Sequence, residues 1–190
     1  MKKATARTTV IILLLVVLVV GYYAYLSNRS RESREENAFS QVQATLSRDL
    51  SKDYPPTPKE VVKYYNEILR GFYYEDSSED EVEALGIKAR ELYDEELLEA
   101  NEIGTYLVRL QGDVQTYRDK ERRITGFNLA SSNNVEFFDR DGFSFAKIMC
   151  GYNIMQDGQT YTTNLMYLLR KDENKRWKIY GWEDAQNLED

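Results

Sequence analysis

Hydrophobic and polar positions divide this chain into four regimes. From Thr8 to Leu26 there are 19 residues without a charge, and Val10 to Val20 is unbroken Val, Ile and Leu. At about 1.5 Å per helical residue such a run crosses a bilayer core of roughly 30 Å. Tyr22, Tyr23 and Tyr25 close it where an interfacial aromatic belt would lie. Residues 1–26 are therefore expected to be a leader and transmembrane anchor. Residues 27–56 follow as a polar spacer, with Phe39, Val42, Leu46 and Leu50 at helical spacing in its middle. Tyr54-Pro55-Pro56-Thr57-Pro58 is a stiff break, and a domain spanning residues 57–190 is expected to begin there.

Within that domain the apolar period is first helical. Thr57, Pro58 and Glu60 make a capping box, and Val61, Tyr64, Tyr65, Ile68, Leu69 and Phe72 follow on one helix face. Ser78 with Glu81 opens a second helix through Val82, Leu85, Ala89 and Leu92. Leu97 and Leu98 belong to a short third piece, and Ile103, Leu107, Leu110, Val114 and Tyr117 mark a fourth.

From about Arg122 the period becomes two, with Thr125, Phe127 and Leu129 alternating against polar neighbours. Asp157-Gly158 then predicts a two-residue type I′ hairpin, because Asp and Gly tolerate the positive φ that both central positions need. The turn sets Gln156 opposite Gln159, Ile154 opposite Tyr161, Cys150 opposite Leu165 and Ile148 opposite Tyr167. Asp141-Gly142 predicts a second hairpin, with Phe138 opposite Phe145, Phe137 opposite Ala146, Val135 opposite Ile148 and Glu136 opposite Lys147. Opposite charges across a strand pair favour that register. Trp177 and Ile179 lie on a last strand. Helices first and antiparallel strands afterwards give an α+β fold, with helices packed on one face of a curved sheet.

Charge and composition narrow the partners. The chain carries −7, and its first 26 residues hold three basic and no acidic residues, which leaves −10 for the rest. Such a part is unsuited to nucleic acid, whose binding depends on neutralising phosphates. There is no histidine, hence no imidazole base or ligand. The anchor competes with a cleaved signal peptide, but cuts after Ala24, Leu26 or Ser27 each lack one of the two small residues required. Lys and Arg number three on each flank of the apolar run, a tie for orientation. The short basic leader favours an N-terminus inside and residues 56–190 outside a cell membrane.

The order of elements, together with Trp177-Lys178-Ile179 after a charged hairpin loop, resembles the NTF2-like (SnoaL-like, cystatin-like) superfamily over about Pro56 to Ala185. Thr57-Pro58-Lys59-Glu60-Val61-Val62-Lys63-Tyr64-Tyr65 is similar to a family of Gram-positive bacterial proteins in which one membrane helix precedes such a domain. The resemblance implies a cone of helices and bent sheet that can enclose a pocket, and an extracytoplasmic address. It implies no reaction. Enzymes of the superfamily place an Asp/His or Tyr/Asp constellation in the cone, and no catalytic residue is carried over to this chain.

Candidate chemistry is sparse. Asp139-Arg140-Asp141-Gly142 starts like a calcium loop, but glycine comes fourth and Cys150 stands where the glutamate should be, so a hairpin turn is the better reading and no metal is expected. Glu75 to Glu102 holds twelve acidic residues, the pattern of a solvated helix face. Cys150 faces Leu165 on the packed side and reads as a buried, inert thiol. Tyr64, Tyr65, Tyr152, Tyr161 and Tyr167 approach the space between helices and sheet, as core or as the wall of a pocket for a small apolar or aromatic ligand. The other sheet face should be wet, yet it carries Phe138, Phe145, Met149, Met166 and Leu168, joined by Tyr180 and Trp182 if Trp177 faces the helices. Such a patch fits contact with a second copy or with a membrane-complex partner. Three functions follow, in order: a non-catalytic membrane-anchored interaction domain, a small-ligand binder, and an enzyme. No cofactor is implied by any of these features.

Overall fold

The computed structural model describes residues 19–29, 41–73 and 77–185. Residues 19–29 belong to a first unit, Met1–Ser40, and the others to a second, Gln41–Asp190. Residues 19–29 are helical, with Val19, Val20, Tyr22, Tyr23 and Tyr25 exposed. Among the described residues no helix is long and apolar enough to cross a membrane. Residues 8–18, most of the run expected to do so, lie outside the described residues, as does Phe39.

The second unit is α+β, with helices packed on one face of a curved antiparallel sheet. After a helical stretch at residues 41–47, four helices follow: α1 (Pro58–Phe72), α2 (Glu79–Arg90), α3 (Glu95–Ala100) and α4 (Ile103–Asp119). Their starts are written in side chains. Thr57 Oγ1 accepts from the Glu60 amide, Ser78 and Glu81 form a reciprocal capping box, and Asp94 and Glu102 accept from the first-turn amides of α3 and α4. Each such cap is worth about 1 kcal/mol. Part of the acidic run thus serves as helix caps.

Five strands follow: β1 (Arg123–Leu129), β2 (Glu136–Arg140), β3 (Phe143–Gln156), β4 (Gln159–Lys171) and β5 (Trp177–Asp184). The sheet order is β1-β3-β4-β5, and β2 pairs with the first half of β3 while β1 pairs with the second. Asp141, Gly142, Asp157 and Gly158 all have positive φ, as two type I′ turns require. The registers are the expected ones: Ile154 opposite Tyr161, Cys150 opposite Leu165, Ile148 opposite Tyr167, Phe138 opposite Phe145 and Glu136 opposite Lys147.

The core lies between the helices and the face bearing Ala146, Ile148, Cys150, Leu169 and Ile179, all fully buried against Val61, Ile68, Leu85 and Leu92. Four positions depart from the sequence pattern. Residues 41–47 are helical, and Val42, Thr45 and Leu50 are buried in this core, so the packed unit starts at Gln41 rather than at Thr57. Spaced apolar residues found their partners in α1 and α2, which the local pattern could not reveal. Val135 is not in the ladder, because the short 3-10 turn Ser132–Asn134 delivers the chain to β2 only at Glu136. β1 carries a bulge between Ile124 and Gly126, so Thr125 turns outward and Ile124 joins Phe127 and Leu129 against the core. β5 carries another, opposite Leu168 and Leu169, and that one reshapes the site.

Candidate functional site

The inward side chains of β4 shorten along the strand, from Tyr167 to Leu165 to Thr163. Space between sheet and helices is therefore filled at one end and left open at the other. The result is a cavity of about 380 Å³. α1 contributes Tyr65, Leu69 and Phe72, α4 contributes Tyr106, Leu110 and Tyr117, and β3 contributes Tyr152 and Ile154. The segment between α2 and α3 reaches the free edge of β5, where the Ile179 amide donates to Leu92 and the Asp94 amide donates to Ile179. That pairing turns Tyr93 into the cavity wall.

Of the five tyrosines expected at a pocket, Tyr65, Tyr152 and Tyr167 line it. Tyr64 does not: its hydroxyl donates to the Thr45 carbonyl at 2.6 Å, on the side of α1 covered by residues 41–47. Burial pushes that hydroxyl up to about 12. Tyr161 is also displaced, 53% exposed near the hairpin tip and bonded to Gln159 Oε1, because the helices do not reach that far along β4. Tyr73, Tyr93 and Tyr106 are lining residues that periodicity did not single out, and Tyr117 and Trp182 also line the cavity, though neither was expected at a pocket.

Trp182 is the largest correction. With plain alternation it would share the outer face with Tyr180. The β5 bulge inserts one extra residue, so Ile179 pairs with Leu169 but Gly181 pairs with Leu168 and Trp182 with Tyr167. The indole thereby crosses to the helix side, about 6 Å from the rings of Tyr65, Tyr93 and Tyr167. A bulge re-aims every side chain beyond it.

The deep polar groups are tied to one another. Tyr152 donates to Asn66 Oδ1, and Tyr167 lies 2.6 Å from the Tyr152 hydroxyl. Since the Tyr152 proton is committed to Asn66, Tyr167 is the donor in that second bond. Asn66, fully buried in α1, uses its amide nitrogen on Cys150 Sγ at 3.4 Å. Tyr65 and Tyr93 share a hydrogen bond of 3.1 Å, and the Tyr106 ring meets Tyr93 edge-on with ring centres 6.2 Å apart. Burial pushes the hydroxyls of Tyr65, Tyr93, Tyr106, Tyr152 and Tyr167 well above the usual phenol range. It pushes the Cys150 thiol up as well, which suppresses the thiolate a nucleophile requires.

Charge is confined to the mouth. Arg109 and Asp113, one turn apart on α4, both line the cavity and are both exposed. Arg109 Nη2 donates to Asn101 Oδ1, and Arg90, its guanidinium over the Tyr106 ring, donates to the Asn101 carbonyl. Among the described residues Asp113 is the one acidic residue on the lining. No group of three or more Cys, Asp or Glu side chains among them is placed to hold a metal ion.

On the outer face of the sheet, Phe138 stacks on Phe145 with ring centres 5.4 Å apart, and Tyr180 meets Phe145 edge-on. Phe145 is consequently buried. Arg170 sits between the rings of Phe143 and Tyr180 and pairs with Asp94 and Glu96. Lys147 is a second cation on this face, its ammonium over the Phe138 ring. Met149 is 43% exposed, with Met166 opposite it and Leu168 nearby on β4, both half-buried. Phe137, opposite the fully buried Ala146 and so on the core side by register, is nevertheless exposed against the Trp177 ring.

A model of the family described as a domain of unknown function (DUF6715) matches residues 1–182. No curated protein matches the chain.

Proposed function

We propose that this chain, which belongs to the DUF6715 family, holds a small, largely apolar ligand between α1, α4 and the sheet, as an NTF2-like module that one N-terminal helix ties to a cell membrane with its domain on the extracytoplasmic side. The observation that carries the ligand reading is the cavity of about 380 Å³. Tyr and Trp rings wall it, and its few charged groups stand at the rim. That is the build of a small-molecule site, apolar within and polar where orientation is fixed. The cone expected from an NTF2-like layout would enclose its pocket in the same place.

Binding is favoured over catalysis. The lining offers no imidazole, because the chain has no histidine. Its one acidic residue among those described, Asp113, is exposed. The anchor is supported by the uncharged run of residues 8–26 and by the helical, exposed apolar side chains of Val19, Val20, Tyr22, Tyr23 and Tyr25.

A second reading is favoured by Met149, exposed among half-buried apolar neighbours: the outer sheet face meets a second copy or another membrane protein. The two readings use opposite faces of the sheet and are compatible.

The test fills the cavity. Ile154→Trp places an indole in the open end. The full chain in lipid nanodiscs should bind an environment-sensitive dye such as anilinonaphthalene sulfonate with one-to-one saturation, and the filled variant should lose at least tenfold in affinity, about 1.4 kcal/mol. Equal binding by a variant with unchanged circular dichroism would place the dye elsewhere and remove the cavity from the argument.

A further inference from the structure

We propose that the ligand is amphoteric: a free α-amino acid with a large aromatic side chain, its ring in the cavity and its charged head across α4, carboxylate toward Arg109 and ammonium toward Asp113. This rests on the reading of the cavity as a ligand site.

The interior selects the ring. Trp182, Tyr65, Tyr93 and Tyr106 present aromatic faces and edges, and the deep hydroxyls are engaged with one another through the Tyr65–Tyr93 and Tyr167–Tyr152–Asn66 bonds. Nothing ionised lines the depth among the described residues, so a charged group on the ligand has to stay at the rim. Burying it without a partner is strongly unfavourable.

The rim selects the head. Residues four apart on a helix place their Cβ atoms roughly 5–6 Å apart on one face. Arg109 and Asp113 thus offer both signs within the span of one small molecule. They do not neutralise each other: among the described residues neither makes an ion pair, and basic-before-acidic is the weaker order for an intrahelical pair. Arg109 spends one nitrogen on Asn101, which steadies the guanidinium and leaves its other donors for a carboxylate. A purely anionic ligand would meet the Asp113 carboxylate, and a purely cationic one the Arg109 guanidinium. An α-amino acid, with both charges on one carbon, satisfies both. The volume, near the lower end for ligand pockets, suits one such molecule rather than a peptide or an acyl chain.

Calorimetry on the full chain in nanodiscs of anionic lipid tests this with tryptophan, tryptamine, indole propionate and indole. Tryptophan should bind about tenfold tighter than either singly charged compound, the weight of one charge-assisted hydrogen bond. Arg109→Gln should bring tryptophan down to the affinity of tryptamine, and Asp113→Asn should bring it down to that of indole propionate. Arg109→Lys should recover part of the loss. Indole binding as tightly as tryptophan would overturn the amphoteric head while leaving the cavity as a ligand site. Displacement of tryptophan by a short-chain zwitterionic phospholipid, with tryptophan itself weak, would assign the charge pair to a lipid head and overturn the amino acid. Absence of binding by all four compounds, or equal binding by Ile154→Trp, would remove the ligand site and the proposal together.

Discussion

Trp182 lies opposite Tyr167 across the β4–β5 pair, on the same side of the sheet as Ile179 although the two are three positions apart. An odd separation should put the two on opposite faces, and the bulge at Leu168 and Leu169 is the reason it does not. The consequence is an indole in the cavity wall rather than on the outer patch. Trp182→Ala should therefore weaken dye or indole binding roughly tenfold, the weight of about 1.4 kcal/mol. Trp177→Phe, made at the other end of β5 and outside the lining, should change it less than about twofold. Fluorescence titration measures both, and equal losses would mean that the tryptophans act through the fold alone.

The strands beside the two Asp-Gly turns were legible from sequence because turn chemistry fixes register locally. Asp157-Gly158 and Asp141-Gly142 need only their own φ angles to set every pair that β3 makes with β4 and β2. The caps at Thr57 and Ser78 were legible for the same reason. What escaped was set by partners distant in sequence. The β5 bulge has no marker in Lys178-Ile179-Tyr180-Gly181 beyond a glycine. Tyr93 reaches the cavity only because Leu92 and Asp94 bond to the edge of β5. Val42 and Leu50 sit in a polar stretch whose apolar partners lie on helices that come later in the chain. Of the candidate pocket tyrosines on β3 and β4, Tyr152 and Tyr167 line the cavity, whereas Tyr161 is exposed where the strand outruns its helical cover.

The buried tyrosines make stability depend on alkaline pH. Tyr65, Tyr93, Tyr106, Tyr152 and Tyr167 are all raised above the ordinary phenol value of 10.0, chiefly by burial. The native state thus keeps protons that the unfolded chain releases. Their contribution is whole below pH 10.0 and is lost as pH rises toward the folded values. Each group adds about 1.4 kcal/mol per pH unit to the slope. Urea midpoints should be level between about pH 8 and 9.5 and fall steeply above that. Tyr93→Phe should make the fall shallower, and a midpoint independent of pH would contradict the burial.

Asp94 and Arg170 tie the edge segment to the sheet. Their side chains are 5% and 12% exposed, and Arg170 donates to Asp94 through two nitrogens. Asp94 also caps α3. Removing Asp94 leaves the largely buried guanidinium with only the exposed Glu96 as counter-charge and costs roughly 3 kcal/mol. Asp94→Ala should lower the urea midpoint accordingly and loosen Tyr93 from the cavity. Asp94→Leu combined with Arg170→Met, which strands no charge, should cost less than the single change. A larger cost in the double variant would show that packing of the guanidinium between Phe143 and Tyr180 matters more than the pair.

The outer face gives the last prediction. Phe145 is covered by Phe138 and Tyr180, so that part of the patch is internally satisfied. Met149 and Met166 are opposite each other on β3 and β4, and Met149 remains 43% exposed beside Leu168. Methionine re-packs cheaply against varied surfaces, and confinement to a membrane would raise the local concentration of any partner. If this face meets a second copy, the full chain in detergent should sediment as a dimer. Met149→Lys with Met166→Lys should then give the monomer while circular dichroism and dye binding stay unchanged, because the cavity opens on the opposite side of the sheet. A double variant that unfolds would make the methionines ordinary core. One that folds and still dimerises would move the contact to another surface, and the exposed acidic residues of α2 would be the next to change, with Glu79→Lys and Glu83→Lys.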